Sequence, residues 1–340
     1  MDYSLFLRDP GIYTLNGKYY NLKTKKKITD EKIINRLHSI KVPPAWKNVW
    51  YAYYKKCHIQ AHGIDSSGKK QYILNETHIT NKKYEKFHRM KQLIKKINSF
   101  KKLIRINNYT DLSKENIIKL LFNLLLETHI RVGNEVYSKN NKTYGLTTLR
   151  KRHLIYSNNS NDEYFFNFIG KSKIEHSIQI PEKYHPLIIK LRDNNNSKNN
   201  NFFWYLSEGN KINISSDILN EYIKKNMGEQ FTCKDLRTYS ANVLFIEYFL
   251  KNVNSSKTLH IINNQSTRTT LHNMQSNNQS KNKIILESIK QSAQKLGHSR
   301  GICKKSYISD SLLNYCLESF DSAKLESKDS LLNKLTGFFD

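Results

Sequence analysis

The feature that most limits what this chain can fold into is a change of period near residue 81. Before it, apolar residues come in short runs such as Val49-Trp50-Tyr51-Ala52-Tyr53-Tyr54 and Gln71-Tyr72-Ile73-Leu74. Turn residues break them up at Gly11, Asn16-Gly17, Pro43-Pro44, Gly63 and Ser66-Ser67-Gly68. Runs of that length suit strands. From about Asn81 the pattern becomes long and helical, beginning with the basic stretch from Lys83 to Phe100. The expectation is an α+β protein, with a small, mainly-β N-terminal domain over residues 1–80 and a larger, mainly-α domain over residues 81–340.

Within the larger part, Asp111-Leu112-Ser113 supplies N-cap chemistry. Ile117, Leu120, Leu121, Leu124 and Leu125 then recur at helical spacing, so a buried helix delivers Arg131 near its C-terminal end. Residues 153–180 return to alternation: Tyr164, Phe166 and Phe168, then Ile174, His176, Ile178 and Ile180, around a turn at Gly170-Lys171-Ser172-Lys173. This predicts a small β-hairpin sheet inside the helical domain. Residues 193–201 read as a flexible polar loop. Ser215-Ser216-Asp217 caps a helix ended by Gly228, and Thr232 with Asp235 opens the helix carrying Arg237. Residues 252–283 are rich in Asn, Ser, Thr and Gln and read as a mobile linker. A last apolar stripe, Ile284, Ile285, Ile289, Ala293 and Leu296, ends with Gly297 as the C′ residue, which sets His298 just past a helix end.

Charge narrows the partners. Lys plus Arg number 56 against 29 Asp plus Glu, a net +27 spread along nearly the whole chain of 340 residues. Nucleic acid is the leading partner for such a surface. A membrane is not expected, because no run of about 18 apolar residues occurs. The start, Met1-Asp2-Tyr3-Ser4-Leu5-Phe6-Leu7-Arg8, lacks the pattern of a secretory signal, so an intracellular protein is expected. Cys57, Cys233, Cys303 and Cys316 lie far apart with no C-x-x-C pair, so reduced thiols are expected rather than a metal site or a disulfide framework.

Tyr307 is the candidate nucleophile. A phenol titrates near pH ~10 and attacks poorly at neutral pH unless cations stabilise both the phenolate and the charge growing on phosphorus. Arg suits non-bridging phosphate oxygens, because its planar fork reaches two acceptors and stays charged. Lys suits a departing oxygen, because it can donate a proton. Read singly, the residues are ordinary. Arg131 is a helix-end cation, Lys171 a solvated turn residue, Arg237 an ion-pair partner for Asp235 or Glu247, His298 a cap and Tyr307 a half-buried aromatic.

Their local sequences carry more. Ile130-Arg131-Val132-Gly133-Asn134-Glu135, Tyr144-Gly145-Leu146-Thr147-Thr148-Leu149, Gly170-Lys171-Ser172-Lys173, Lys234-Asp235-Leu236-Arg237-Thr238 and the block from Gly297-His298 to Ser306-Tyr307 occur in one order. Upstream stand Ile40-Lys41-Val42-Pro43-Pro44-Ala45-Trp46, His58-Ile59-Gln60-Ala61 and Gly68-Lys69-Lys70-Gln71-Tyr72. Over nearly its whole length the chain resembles the small type IB DNA topoisomerases of poxviruses, other large DNA viruses and bacteria.

The resemblance implies a catalytic domain of the tyrosine recombinase/topoisomerase IB type. Tyr307 would hold DNA as a 3′-phosphotyrosyl ester and release a 5′-hydroxyl strand. Arg131, Arg237 and His298 would bind the non-bridging oxygens, and Lys171 would protonate the leaving 5′-oxygen. Supercoils of either sign would relax without ATP, any cofactor or a required metal. The two domains of a monomer would clamp double-stranded DNA, with contacts from Lys69, Lys70, Gln71, Tyr72, Asn134 and Tyr137. The enzyme would act at a site of DNA replication or in a virion. Two departures stand out: the poxvirus pattern has lysine at the position of Asn134, and bacterial relatives often have asparagine at that of His298. A tyrosine site-specific recombinase is the nearest alternative, although those enzymes usually place His where this chain has Lys234. The alternative from another class is a non-catalytic DNA-binding protein.

Overall fold

The computed structural model describes residues 9–157, 163–198, 200–263, 273–318 and 327–337. The chain divides into two compact units, Met1–Lys86 and Phe87–Asp340. Helix and strand are mixed, with a β-sheet in the first unit and mostly helix in the second.

The first unit is built on five antiparallel strands: β1 (Ile12–Leu15), β2 (Lys18–Asn21), β3 (Lys47–Tyr51), β4 (Ile59–Ile64) and β5 (Lys70–Leu74), in the order β2-β1-β3-β4-β5. Asn16-Gly17, both with positive φ, form the two-residue turn between β1 and β2. The sequence reading lacked the helix in this unit, α1 (Glu31–Ser39). Asp30 caps it by accepting from the Lys32 and Ile33 amides. Leu37, with Ile33 and Ile34, packs against Ile12, Ile28, Tyr51 and Ala61 to make a small core. A run of only nine residues, flanked by strands, gives the helical period too few repeats to stand out.

Helix α2 (Glu76–Leu103) contains the division between the units, which falls after Lys86. Beyond it come α3 (Lys114–Thr128) and α4 (Glu135–Asn141), then the antiparallel sheet β6 (Leu154–Ser157), β7 (Glu163–Ile169) and β8 (Glu175–Gln179). Helix α5 (His185–Asp193) leads to a hairpin, β9 (Trp204–Ser207) and β10 (Asn210–Asn213), which sequence inspection did not distinguish. Helices α6 (Ser216–Met227), α7 (Cys233–Asn263), α8 (Asn273–Lys295), α9 (Arg300–Ser306), α10 (Asp310–Glu318) and α11 (Lys328–Gly337) complete the chain. One core joins the apolar faces of α3, α7 and α8 with those of β7, β9 and α6.

Two expectations are corrected. The polar segment 252–283 is not a linker, because α7 continues through residue 263 and α8 begins at residue 273; residues 264–272 lie outside the described residues. The helices are held by contacts that composition hides. Asn252 Nδ2 donates to Ser288 Oγ at 3.0 Å and to Gln291 Oε1 at 3.1 Å, while Val253 packs into the core with Ile285 and Ile289. The expected loop at 193–201 is tied down: Asn195 is buried and donates to Asn201 O at 3.0 Å, and the Asn195 carbonyl accepts from Lys151 Nζ at 2.5 Å. Residue 199 of that loop lies outside the described residues.

Candidate active site

Helix α3 ends at Thr128, and His129 adopts a left-handed conformation, φ 59°, that turns the chain sharply. Ile130 then points into the core, and Arg131 enters an open pocket of about 540 Å³. The segment is fixed by backbone pairing: Leu146 and Thr147 amides donate to the Arg131 and Val132 carbonyls, both at 2.7 Å. A Cβ on Gly145 would lie 2.6 Å from the Arg131 carbonyl oxygen and the same distance from Gly133, so the two motif segments meet at backbone contact.

Arg237 comes from the first turns of α7, where Asp235 accepts from the Thr232 amide and hydroxyl at 3.0 and 2.8 Å. Neither carboxylate that sequence offered to Arg237 takes it. Asp235 pairs with Arg89 at 3.3 Å, and Glu247 pairs with Lys328. Arg237 instead donates to the carbonyls of His129, at 2.7 Å, and of Leu296, while its Nε is buried with no partner among the described residues. Arg131 donates to the Gly297 carbonyl at 3.1 Å. Both guanidiniums therefore rest against the carbonyl end of α8, with no carboxylate neutralising either one among the described residues.

Tyr307 closes α9. Its backbone carbonyl accepts from Asn242 Nδ2 at 2.9 Å, and Asn242 Oδ1 accepts the Ser309 amide at 3.0 Å. The phenol ring stacks on the His298 imidazole, with centroids 4.9 Å apart and planes at 8°. The Arg237 guanidinium lies 5.8 Å from the centre of the same ring, and the phenol offsets part of the lowering of its pKa. Lys171 lines the pocket too, from the exposed turn between β7 and β8. The pocket thus brings together Arg131, Lys171, Arg237 and Tyr307, with His298 stacked on the Tyr307 ring.

Burial sets the charge states. Arg237 is pushed down to about 10, first by desolvation and then by Arg131, and so remains a cation at neutral pH. Arg131 is lowered by burial, partly offset by Tyr307. His298 is pushed down to about 4 by burial and then by the two arginines, which makes it a neutral imidazole at pH 7. Its Nε2 is buried without a partner among the described residues. An orphaned guanidinium N–H is poorly satisfied alone and suits a ligand rich in acceptor oxygens, such as a phosphodiester; the imidazole nitrogen suits the same ligand in the tautomer that carries its proton on Nε2.

Asn134 also lines the pocket, but its Oδ1 caps α4 by accepting the Val136 and Tyr137 amides at 2.9 and 3.4 Å, leaving its amino group available. Tyr137 stands exposed on that helix. Lys69, Lys70, Gln71 and Tyr72 lie in the other unit, at the start of β5 and just before it. There Gln71 Nε2 donates to Asp65 at 2.7 Å, Lys70 Nζ sits 5.6 Å from the Tyr72 ring, and Tyr72 is exposed.

Comparison with known proteins decides the family. The model of the eukaryotic DNA topoisomerase I catalytic core matches residues 70–330, and that of the bacterial DNA topoisomerase IB N-terminal domain matches residues 18–65. DNA topoisomerase 1B of Acanthamoeba polyphaga mimivirus is 33% identical over 314 residues, 89% of this chain and 84% of that protein. The chain belongs to the type IB DNA topoisomerases. Vaccinia virus (strain Copenhagen) DNA topoisomerase 1B is 32% identical over 260 residues, 74% of this chain and 70% of its own length. Monkeypox virus DNA topoisomerase I gives the same values.

Within this topoisomerase, sequence inspection missed three residues around the pocket: His129, Asn242 and His176. Asn242 had a readable signal, a lone amide in the apolar run Ala241-Asn242-Val243-Leu244-Phe245. The other two carry none that local pattern supplies. Among the described residues no group of three or more His, Cys, Asp or Glu is placed to hold a metal, and no helix is long and apolar enough to cross a membrane. All four cysteines are buried, and none is in a disulfide.

Proposed function

We propose that this enzyme relaxes positive and negative supercoils in duplex DNA by cutting one strand, letting the free end rotate and rejoining it. Tyr307 Oη attacks the scissile phosphorus, the P–O5′ bond breaks, and the 3′ side stays on the protein as a phosphotyrosyl ester. Arg237 stabilises the phenolate and, with Arg131, meets the charge on the non-bridging oxygens. His298 contributes a neutral N–H donor. Lys171 protonates the departing 5′-oxygen, and rejoining runs the same steps in reverse. The ester retains the energy of the broken bond, so no ATP is consumed. The cations supply the positive charge that phosphoryl chemistry needs, so no metal is required.

The observation that carries this reading is the approach of Arg237 to the Tyr307 ring while Arg237 and His298 each keep a buried nitrogen without a partner among the described residues. The mainly-α arrangement of the second unit, with its small β-hairpin sheet, would be that of the tyrosine recombinases and type IB topoisomerases. A monomer would clamp the duplex between its two units, with Lys69, Lys70, Gln71, Tyr72, Asn134 and Tyr137 contacting DNA, inside the cell at a site of DNA replication or, if the chain is viral, in a virion. The test is incubation with supercoiled plasmid in EDTA without ATP, stopped with SDS. Relaxation and a protein–DNA adduct are expected, and Tyr307→Phe should lose both while still binding DNA. Absence of relaxation and adduct from the unaltered protein would sink the proposal.

A further inference from the structure

Lys171 makes no hydrogen bond or ion pair among the described residues, so the turn that carries it sets its aim. That turn is tight: Ser172 and Lys173 have φ of 64° and 59°, and the Gly170 amide donates to Ile174 O at 2.7 Å. One side chain touches it from the side of the arginines. His176, directly across from Phe168 in the β7–β8 register, stacks on that ring with centroids 4.9 Å apart and planes at 21°. The imidazole also lies close against two glycines. A Cβ on Gly170 would lie 2.6 Å from His176 Nε2, and a Cβ on Gly297 would lie 2.4 Å from His176 Cε1.

Those glycines adjoin the chemistry. Gly170 precedes Lys171; Gly297 precedes His298, and its carbonyl receives Arg131 while that of Leu296 receives Arg237. The imidazole therefore fills the gap between the turn bearing the lysine and the turn on which the arginines rest. We propose that His176 is a positioning residue: its ring acts as a spacer between these two turns and thereby fixes the aim of Lys171 at the departing 5′-oxygen. The inference rests on the proposed role of Lys171 as proton donor. Burial, with Arg131 and Arg237 nearby, lowers the His176 pKa, so at neutral pH the spacer adds no charge to a pocket already rich in cations. It makes no side-chain hydrogen bond among the described residues, so its action is through shape.

Two properties separate aim from mere support of the fold. A lysine that has lost its aim matters only when the departing atom needs a proton; a sulfur atom in place of the 5′-oxygen leaves as a thiolate without one. Gly170 has ordinary extended backbone, φ −92° and ψ −169°, so an alanine there is opposed by the His176 ring and not by its own conformation.

The experiment measures single-turnover cleavage of a duplex at a position mapped with the unaltered protein, with oxygen or sulfur as the departing 5′ atom. His176→Ala is expected to slow the oxygen substrate by about 10- to 100-fold, the scale of a small misplacement of a catalytic group, and the sulfur substrate by less than about 3-fold. His176→Phe, which keeps a flat ring against Phe168, should retain more activity on the oxygen substrate than His176→Ala. Gly170→Ala should be slow, and adding His176→Ala should bring it back to the rate of His176→Ala alone, a coupling expected only for groups in contact. Equal losses on the two substrates, additive effects of the two substitutions, or an unaltered rate for His176→Ala would overturn the inference while leaving the proposed function in place. No adduct from the unaltered protein would overturn both.

Discussion

Tyr307 is acted on by three neighbours in three different ways. Arg237 lies 5.8 Å from its ring, His298 stacks on that ring, and Asn242 holds its backbone. Replacing Arg237 with Lys keeps a positive charge but removes the fork that spans the His129 and Leu296 carbonyls; cleavage should slow by about 100- to 1,000-fold, measured as adduct formed in one turnover. The histidines make a separate prediction. His129, His153 and His298 are each pushed down to about 4, chiefly by burial, against an ordinary value of 6.5. Their folded-state values are depressed, so the unfolded chain binds more protons in this window: their contribution is complete above about pH 6.5 and is lost as pH falls towards 4. The urea midpoint should drop over that interval; a flat midpoint would contradict the burial of these rings. Charged residues of the site were legible from their motifs, since Arg131, Lys171 and Arg237 each sit in a recognisable local run. His176 was not, because its role is made by Gly297, distant in sequence.

At the scale of elements, the junction of α7 with α9 and the pairing of α7 with α8 do the positioning. Asn242, fully buried on α7, donates to Thr238 O and Tyr307 O and accepts from the Ser309 amide. Asn242→Ala should cost about 1–3 kcal/mol, the usual penalty for stranding buried polar groups, and should also slow cleavage; thermal denaturation beside single-turnover kinetics reads both effects. The α7–α8 pairing is a close one. Ser288 and Ser292 are completely buried, yet their hydroxyls donate to the Ile284 and Ser288 carbonyls one turn back, so they satisfy themselves while leaving room for close approach. Within the misread stretch it is Asn252 and Val253 that reach across to this seam, and a tally of polar residues does not show such contacts. Ser288→Leu should overfill the seam and destabilise by about 1–3 kcal/mol, as read by chemical denaturation; an unchanged midpoint would mean the helices do not pack there. The helices that were legible, α3 and α6, have an apolar stripe and a serine cap within one window.

For the whole molecule, the broad division was readable because strand-like and helical periods occupy different parts of the sequence. Its limit was not, since the break in contacts after Lys86 falls inside a continuous helix that no local signal interrupts. The net charge of +27 bears on binding rather than fold. If many lysines neutralise phosphates, affinity for duplex DNA should fall steeply and linearly on a logarithmic plot against salt, and a flat dependence would contradict the clamp. The most direct test of the central claim is to trap the covalent complex on a 3′-labelled and a 5′-labelled duplex, digest it with protease and locate the attached residue by mass spectrometry. The predicted result is a nucleotide joined through its 3′-phosphate to Tyr307, with a free 5′-hydroxyl on the other strand end. Attachment to another residue, or to the 5′ side of the break, would contradict it.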